Sequence, residues 1–324
     1  MKINKQTNFI FIDLFAGIGG FRLALEDLGG KCAFSSEKDK QARETYFSNF
    51  REEPSGDICN VDASSIPEHD ILCGGFPCQA FSIAGKLQGF KDQRGTLFVE
   101  VVRILRQKRP SAFILENVAN LKRHDGGRTF KVILRELRGC GYYVPEPQIL
   151  DSADFGLAQQ RRRLFIVGFR RSASAESFLY PQGGMPKVTF GSIREKDCKP
   201  NFDLSNRIVG ELIVRRIRQF HKGNGFGYKI TTDADLVRTI RCGGSGREEN
   251  IVFNKNSLIW WNGIGSAPRW MTPREWARAQ GFPEDFKLHP SKSAAYKQLG
   301  NAVSVPVVQA VAHNLLNSLR STTS

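Results

Sequence analysis

Residues 9–14, FIFIDL, form a short apolar run, after which Phe21, Leu25 and Leu28 recur at helical spacing up to Gly29-Gly30. This predicts a buried strand, a tight turn and a helix. Residues 32–36 predict a second strand ending at Glu37, Asp39 is placed to cap a helix running through Phe50, and Asp70–Cys73 predicts another short strand. Leu97, Val101, Ile104 and Leu105 give a helical face, Ala112–Leu115 a strand, Thr129–Leu137 a helix and Leu164–Phe169 a strand. Alternating strands and helices imply an α/β fold, a mostly parallel sheet with helices on both faces. From 181 to 270 the pattern changes to Gly, Ser, Asn and basic residues with only short apolar runs, which predicts a smaller, loop-rich, β-containing domain. Helical spacing resumes at Val303, Val307, Val311 and Leu315, with Pro306 near the helix start, where a missing N–H costs little. The expected division is therefore 1–185, completed by a C-terminal helix at about 300–324, and 186–299.

A length of 324 residues fits one large and one smaller domain, and 40% apolar with 24% charged residues is ordinary for a globular chain. The apolar run near the N-terminus is broken by Asp13, and no stretch reaches the roughly 18 apolar residues of a membrane span. The expectation is a cytoplasmic protein without a signal peptide or membrane association. The formal charge is +15, divided as +3 over residues 1–150 and +12 over 151–324. Basic charge facing a polyanion gains affinity by releasing condensed counterions, so nucleic acid is the leading partner class, with the C-terminal half as the electropositive part. The seven cysteines, at 32, 59, 73, 78, 140, 198 and 242, form no C-x-x-C pair. A disulfide framework or metal site is not expected.

Four motifs carry chemistry. Asp13-Leu14-Phe15-Ala16-Gly17-Ile18-Gly19-Gly20 sits where a strand hands over to a helix, so its backbone can approach a ligand closely. A dinucleotide fingerprint would want glycine at position 22, which is Arg22. Glu37, ending the second strand, is placed to accept hydrogen bonds from ribose hydroxyls. The second motif, Gly74-Gly75-Phe76-Pro77-Cys78-Gln79-Ala80-Phe81-Ser82, puts a cysteine in a turn at the end of a strand. Glu116-Asn117-Val118 follows the strand AFIL, so its carboxylate emerges at the same sheet edge as Cys78. Gln159-Gln160-Arg161-Arg162-Arg163 precedes another strand and sets Arg161 and Arg163 on one face. Together these groups suit the methylation of cytosine at C5, a weakly nucleophilic carbon. A thiolate adds at C6, a carboxyl group holds N3 and the 4-amino group, and a guanidinium stabilises charge at O2. Cys78, Glu116 and Arg161 match those roles. The base must also leave the duplex stack.

In this order the motifs resemble the bacterial DNA cytosine-C5 methyltransferases of type II restriction-modification systems, most closely the short HhaI-type enzymes. The resemblance covers nearly the whole chain, continuing through Arg274-Glu275, GFP at 281–283 and Gly300-Asn301-Ala302-Val303. It implies a Rossmann-like fold that binds S-adenosylmethionine, which leaves as S-adenosylhomocysteine. It implies Cys78 as nucleophile, Glu116 on the N3 edge, and Arg161 and Arg163 holding the base and the cysteine loop. The cofactor site would include Phe15, Gly17, Gly19, Gly20, Glu37, Asp57, Ile58, Pro77, Leu97 and Asn301. Ser82, Lys86 and Arg94 would contact double-stranded DNA from a loop spanning 80–96. Residues from about 186 to 270 would read the target, with Thr239-Ile240 resembling the family's Thr-Leu pair. A monomer paired with a restriction endonuclease of the same specificity is also implied. Lys38, Ala158 and Ala302 depart from the tryptophan or other apolar residue, the proline and the serine common at those positions.

Two other functions share part of this pattern. A eukaryotic branch with these motifs methylates tRNA and carries a Cys-Phe-Thr tripeptide, which this chain lacks. A non-catalytic DNA-binding regulator would be marked by loss of the nucleophile, and Cys78 is present.

Overall fold

The structure, a computed structural model, describes residues 8–76, 96–196, 198, 202–223, 228–242, 250–254 and 267–321. They form two compact units, one of 1–151, 162–183 and 303–324, the other of 152–161 and 184–302.

The first unit begins with β1 (Phe9–Leu14), α1 (Gly20–Asp27), β2 (Gly30–Ser36), α2 (Lys40–Phe50) and β3 (Ile71–Gly75). It continues through α3 (Thr96–Lys108), β4 (Ala112–Val118), α4 (Arg128–Gly139) and β5 (Gln148–Asp151). The chain passes through β6 (Gln159–Gln160) in the second unit and returns as β7 (Arg162–Phe169) and α5 (Ser172–Ser177). The sheet order is β2-β1-β3-β4-β7-β5. β1 to β4 run parallel, while β7 is antiparallel to both β4 and β5. Consecutive residues Ile71, Leu72 and Cys73 are all inaccessible, so both faces of the central strands are covered, which is why these strands read as apolar runs and not as alternation. On one face Ile12, Leu14, Leu72, Phe113, Leu115 and Ile166 share a core with Val101, Ile104 and Leu105 of α3 and Ile133 and Leu137 of α4. Asp39 caps α2 by accepting from the Ala42 N–H at 3.0 Å.

The second unit contains α6 (Phe190–Ile193), α7 (Asn206–His221), β8 (Val237–Arg238), β9 (Ile251–Asn254), β10 (Ala267–Trp270), α8 (Pro273–Ala279) and α9 (Lys292–Asn301). The chain then closes in the first unit with α10 (Val305–Arg320), which packs on α1. β6 pairs with β8 in parallel, and β9 with β10 antiparallel. The 16-residue α7 is longer than anything the composition of 181–270 predicts. Val209 and Leu212 seat it on Leu204 and Ile251, while four arginines hold its polar surface in water. In the first turn of α8, Glu275 completes a capping box with Thr272 and accepts two bonds from the buried Arg269, at 2.8 and 2.7 Å. That pairing gives the Arg274-Glu275 motif a structural use. Arg274 itself donates to the Phe286 carbonyl at 2.8 Å. Residues 152–161, placed with the first domain on sequence grounds, fall in the second unit, because Gln159 and Arg161 bond within it.

Candidate active site

β1 ends in a turn with left-handed backbone at Phe15 (φ 57°) and Gly17 (φ 55°), which only glycine adopts without strain. The turn is tied to the end of β2: the Gly17 N–H donates to Glu37 Oε2 at 2.8 Å, and the Asp39 N–H donates to Oε1 at 2.7 Å. These bonds fix the Glu37 carboxylate and leave it lone pairs for a further donor. Segment 55–58 lies alongside, through the Glu37 N–H to the Ser55 carbonyl at 2.9 Å. Asp57 caps the next turn through Cys59 and pairs with Lys38 at 2.8 Å. Lys38 therefore holds the Asp57 carboxyl below its ordinary pKa. Ile58 is buried and its carbonyl accepts from the Val61 N–H and from Arg103, while Phe15 and Leu97 are half-buried against the core. Gly20 opens α1 behind the turn. Beneath lies Asp13, fully buried with neither carboxylate oxygen hydrogen-bonded, and burial pushes its carboxyl well above the ordinary value despite nearby Arg22. Arg22, where a dinucleotide motif would have glycine, is buried and bonded to Glu26, Tyr46 and Glu52.

The second corner is at the ends of β3 and β4. Glu116, 8% exposed, pairs in register with Gly75, and its Oε1 forms an ion pair with Arg163 Nε at 3.0 Å. Arg163 opposes Val118 across the β4–β7 ladder, and from there its side chain reaches diagonally to Glu116. Buried Asn117 donates from Nδ2 to the Phe76 carbonyl at 2.8 Å, anchoring the chain immediately before Pro77-Cys78. Phe76 packs on Phe98, ring centroids 5.4 Å apart. Pro77, Cys78, Ser82, Lys86 and Arg94 lie outside the described residues.

Arg161 and Arg163, expected on one strand face, differ in environment. Arg161 precedes β7 and is 2% exposed. It donates to the carbonyls of Ile240 (2.6 Å), Gly300 (3.1 Å) and Ala302 (2.8 Å), all in the second unit. Ile240 is fully buried, and half-buried Thr239 donates from its hydroxyl to the Gln160 carbonyl at 2.7 Å. Exposed Asn301 accepts from the Cys242 thiol at 2.8 Å. Sequence reasoning assigned no role to Gln280, or to the side chains of Asn117 and Gln159. For Asn117 a signal was available, since an amide directly after a strand is well placed to hold a neighbouring loop.

A family profile for C-5 cytosine-specific DNA methylases matches residues 9–317. The chain belongs to that family. This methylase is 50% identical to the type II methyltransferase M.HpaII of Haemophilus parainfluenzae over 98% of its own length and 91% of that protein. It is 38% identical to M.HhaI of Haemophilus parahaemolyticus, covering 98% of each chain. Among solved structures, S. pombe Dnmt2 methyltransferase matches the methylase's fold with a TM-score of 0.75 at 19% identity, over 96% of this chain and 99% of that one. The α/β methyltransferase fold expected from the sequence is thus the fold observed. Among the described residues no helix is long and apolar enough to cross a membrane.

Proposed function

We propose that the methylase transfers a methyl group from S-adenosylmethionine to C5 of a cytosine flipped out of a specific double-stranded DNA sequence, through a covalent bond between Cys78 and C6. The observation that carries this reading is the buried Glu116 carboxylate, held by Arg163 at the ends of β3 and β4, where Asn117 also pins Phe76, immediately before Pro77-Cys78 in the chain.

The Phe15–Gly17 turn fits the adenosine part of the cofactor: Glu37 is fixed with lone pairs left for ribose hydroxyls, and, its own chain neighbours apart, nothing lies within 4 Å of the position a Gly17 Cβ would take. Asp57 supplies a further carboxylate on the same corner. When bound, the cofactor supplies an electrophilic methyl group on a sulfonium.

The chain's own residues do the rest. The Cys78 thiolate adds to C6, making C5 nucleophilic. Glu116 holds N3 and the 4-amino group and shares a proton there as the ring gains electron density. Arg163, ion-paired with Glu116 through Nε, takes the O2 edge in place of Arg161, to which the residue pattern gave that role. Arg161, whose terminal nitrogens donate to backbone carbonyls, ties together segments within the second unit. After transfer, a base removes the C5 proton and the Cys78–C6 bond breaks. The second unit reads the target sequence. The pairing with a restriction endonuclease follows the relatives named above.

The test is to incubate the purified protein with unmethylated plasmid and S-adenosylmethionine and to map 5-methylcytosine by bisulfite sequencing, with Cys78→Ser as control. Protected cytosines recurring in one short sequence support the reading. Absence of methylation from DNA overturns it.

A further inference from the structure

We infer that Gln159 and Gln280, acting as a buried pair, are positioning residues that set the backbone register of Arg238–Cys242 and so determine how sharply the methylase discriminates its DNA target. This rests on the DNA-methylating reading above.

Segment 237–242 has little regular structure of its own. Its ladder to β6 spans two residues, Gln159 opposite Val237 and Gln160 opposite Arg238, and beyond it side chains hold the backbone. Gln159 Oε1 accepts the Ile240 N–H at 2.9 Å, and its Nε2 donates to the Ala279 carbonyl at 3.0 Å and to Gln280 Oε1 at 3.2 Å. Gln280 Nε2 then donates to the carbonyls of Leu299 at 3.0 Å and Ala302 at 3.1 Å. Both side chains are wholly inaccessible. Each amide oxygen has a donor and each amide nitrogen two acceptors, so neither amide can flip without placing like groups together. The segment is also fixed from the other side: a Cβ on Gly300 would sit 2.4 Å from the Cys242 nitrogen.

The pair therefore joins β6, the end of α8, the end of α9 and the recognition segment in one network within the second unit. On its outer surface the segment presents Arg238 and Arg241. Arginine discriminates bases through paired hydrogen bonds that demand accurate placement, so a backbone fixed by neutral buried amides gives those side chains a defined origin. A pair of leucines would fill similar space and leave the Ile240 N–H and three carbonyls without these partners.

The experiment measures fluorescence-anisotropy affinities for a duplex carrying the bisulfite-mapped target and for duplexes with one base pair changed, all with S-adenosylhomocysteine present. It compares the wild type, Gln280→Leu, the milder Gln159→Met, and Leu212→Ala, which loosens α7 in the same unit away from the pair. The expected result is at least a tenfold loss of discrimination in Gln280→Leu and a smaller loss in Gln159→Met. S-adenosylhomocysteine affinity should stay within twofold of wild type, and Leu212→Ala should keep its discrimination at a comparable melting-temperature loss. Should Gln280→Leu not fold, Gln159→Met carries the test alone. Discrimination within twofold of wild type in the folded glutamine variants overturns the inference, as does an equal loss in Leu212→Ala. A wild-type protein that neither methylates nor discriminates overturns the underlying reading instead.

Discussion

Arg163 in the first unit reaches a carboxylate, whereas Arg161 in the second reaches three backbone carbonyls, although only one residue separates them. The carboxylate partner is itself reactive and an acceptor on both oxygens, so the Arg163–Glu116 pair can exchange part of its bonding for a substrate. The carbonyls bonded to Arg161 belong to the frame of the recognition unit, and losing them loosens that frame. The same side chain thus serves chemistry in one place and architecture in the other, and the partner decides which.

Four substitutions break or sharpen this contrast. The largest effect is expected for Cys78→Ser, which should abolish methyl transfer while DNA binding survives. The check is tritium transfer beside a gel-shift assay, together with trapping of the wild type on a target containing 5-fluorocytosine, where fluorine blocks loss of the C5 substituent. Next, Glu116→Gln should lower kcat by about 10²–10⁴-fold, the usual range for a lost proton-sharing group, with the melting temperature little changed. Steady-state kinetics beside calorimetry separates the two effects. Arg161→Ala should do the reverse in emphasis, lowering the melting temperature clearly, since each buried carbonyl left unpaired costs about 1–3 kcal/mol. If its melting temperature matched wild type while kcat collapsed, the contrast between the arginines would be wrong.

The smallest effect concerns Asp13→Asn. Burial raises the Asp13 carboxyl in the folded state above its unfolded value, so between those two values the folded chain binds more protons and stability falls as pH rises. The asparagine variant should therefore melt higher than wild type at pH 7 and show a smaller gain near pH 4, a trend that scanning calorimetry across pH reads directly.

Much of the first unit was legible because strands buried on both faces must be apolar throughout and their helices must alternate with them. FIFIDL, AFIL and the Val303–Leu315 spacing fall on β1, β4 and the start and body of α10. Glu37 was legible as well, since a carboxylate ending a second strand faces the turn after the first. α7 was missed because interleaved arginines mask the Val209, Leu212 and Ile213 spacing in a count of composition. The residue pattern gave the O2 role to Arg161 and could not tell its surroundings from those of Arg163, because alternation along an extended chain fixes the direction of a side chain but not its partner.

By itself the sequence determined the fold class, the strand ends that bear Glu37 and Glu116, and the reaction chemistry to which those residue types are suited. All of these follow from periodicity and functional-group identity, which are local. Tertiary structure alone decided that Arg163 pairs with Glu116, that Asn117 holds Phe76, and that Gln159 meets Gln280 across 121 positions of chain. Those contacts join residues far apart in sequence, and buried polar groups find their partners only once the core has excluded water.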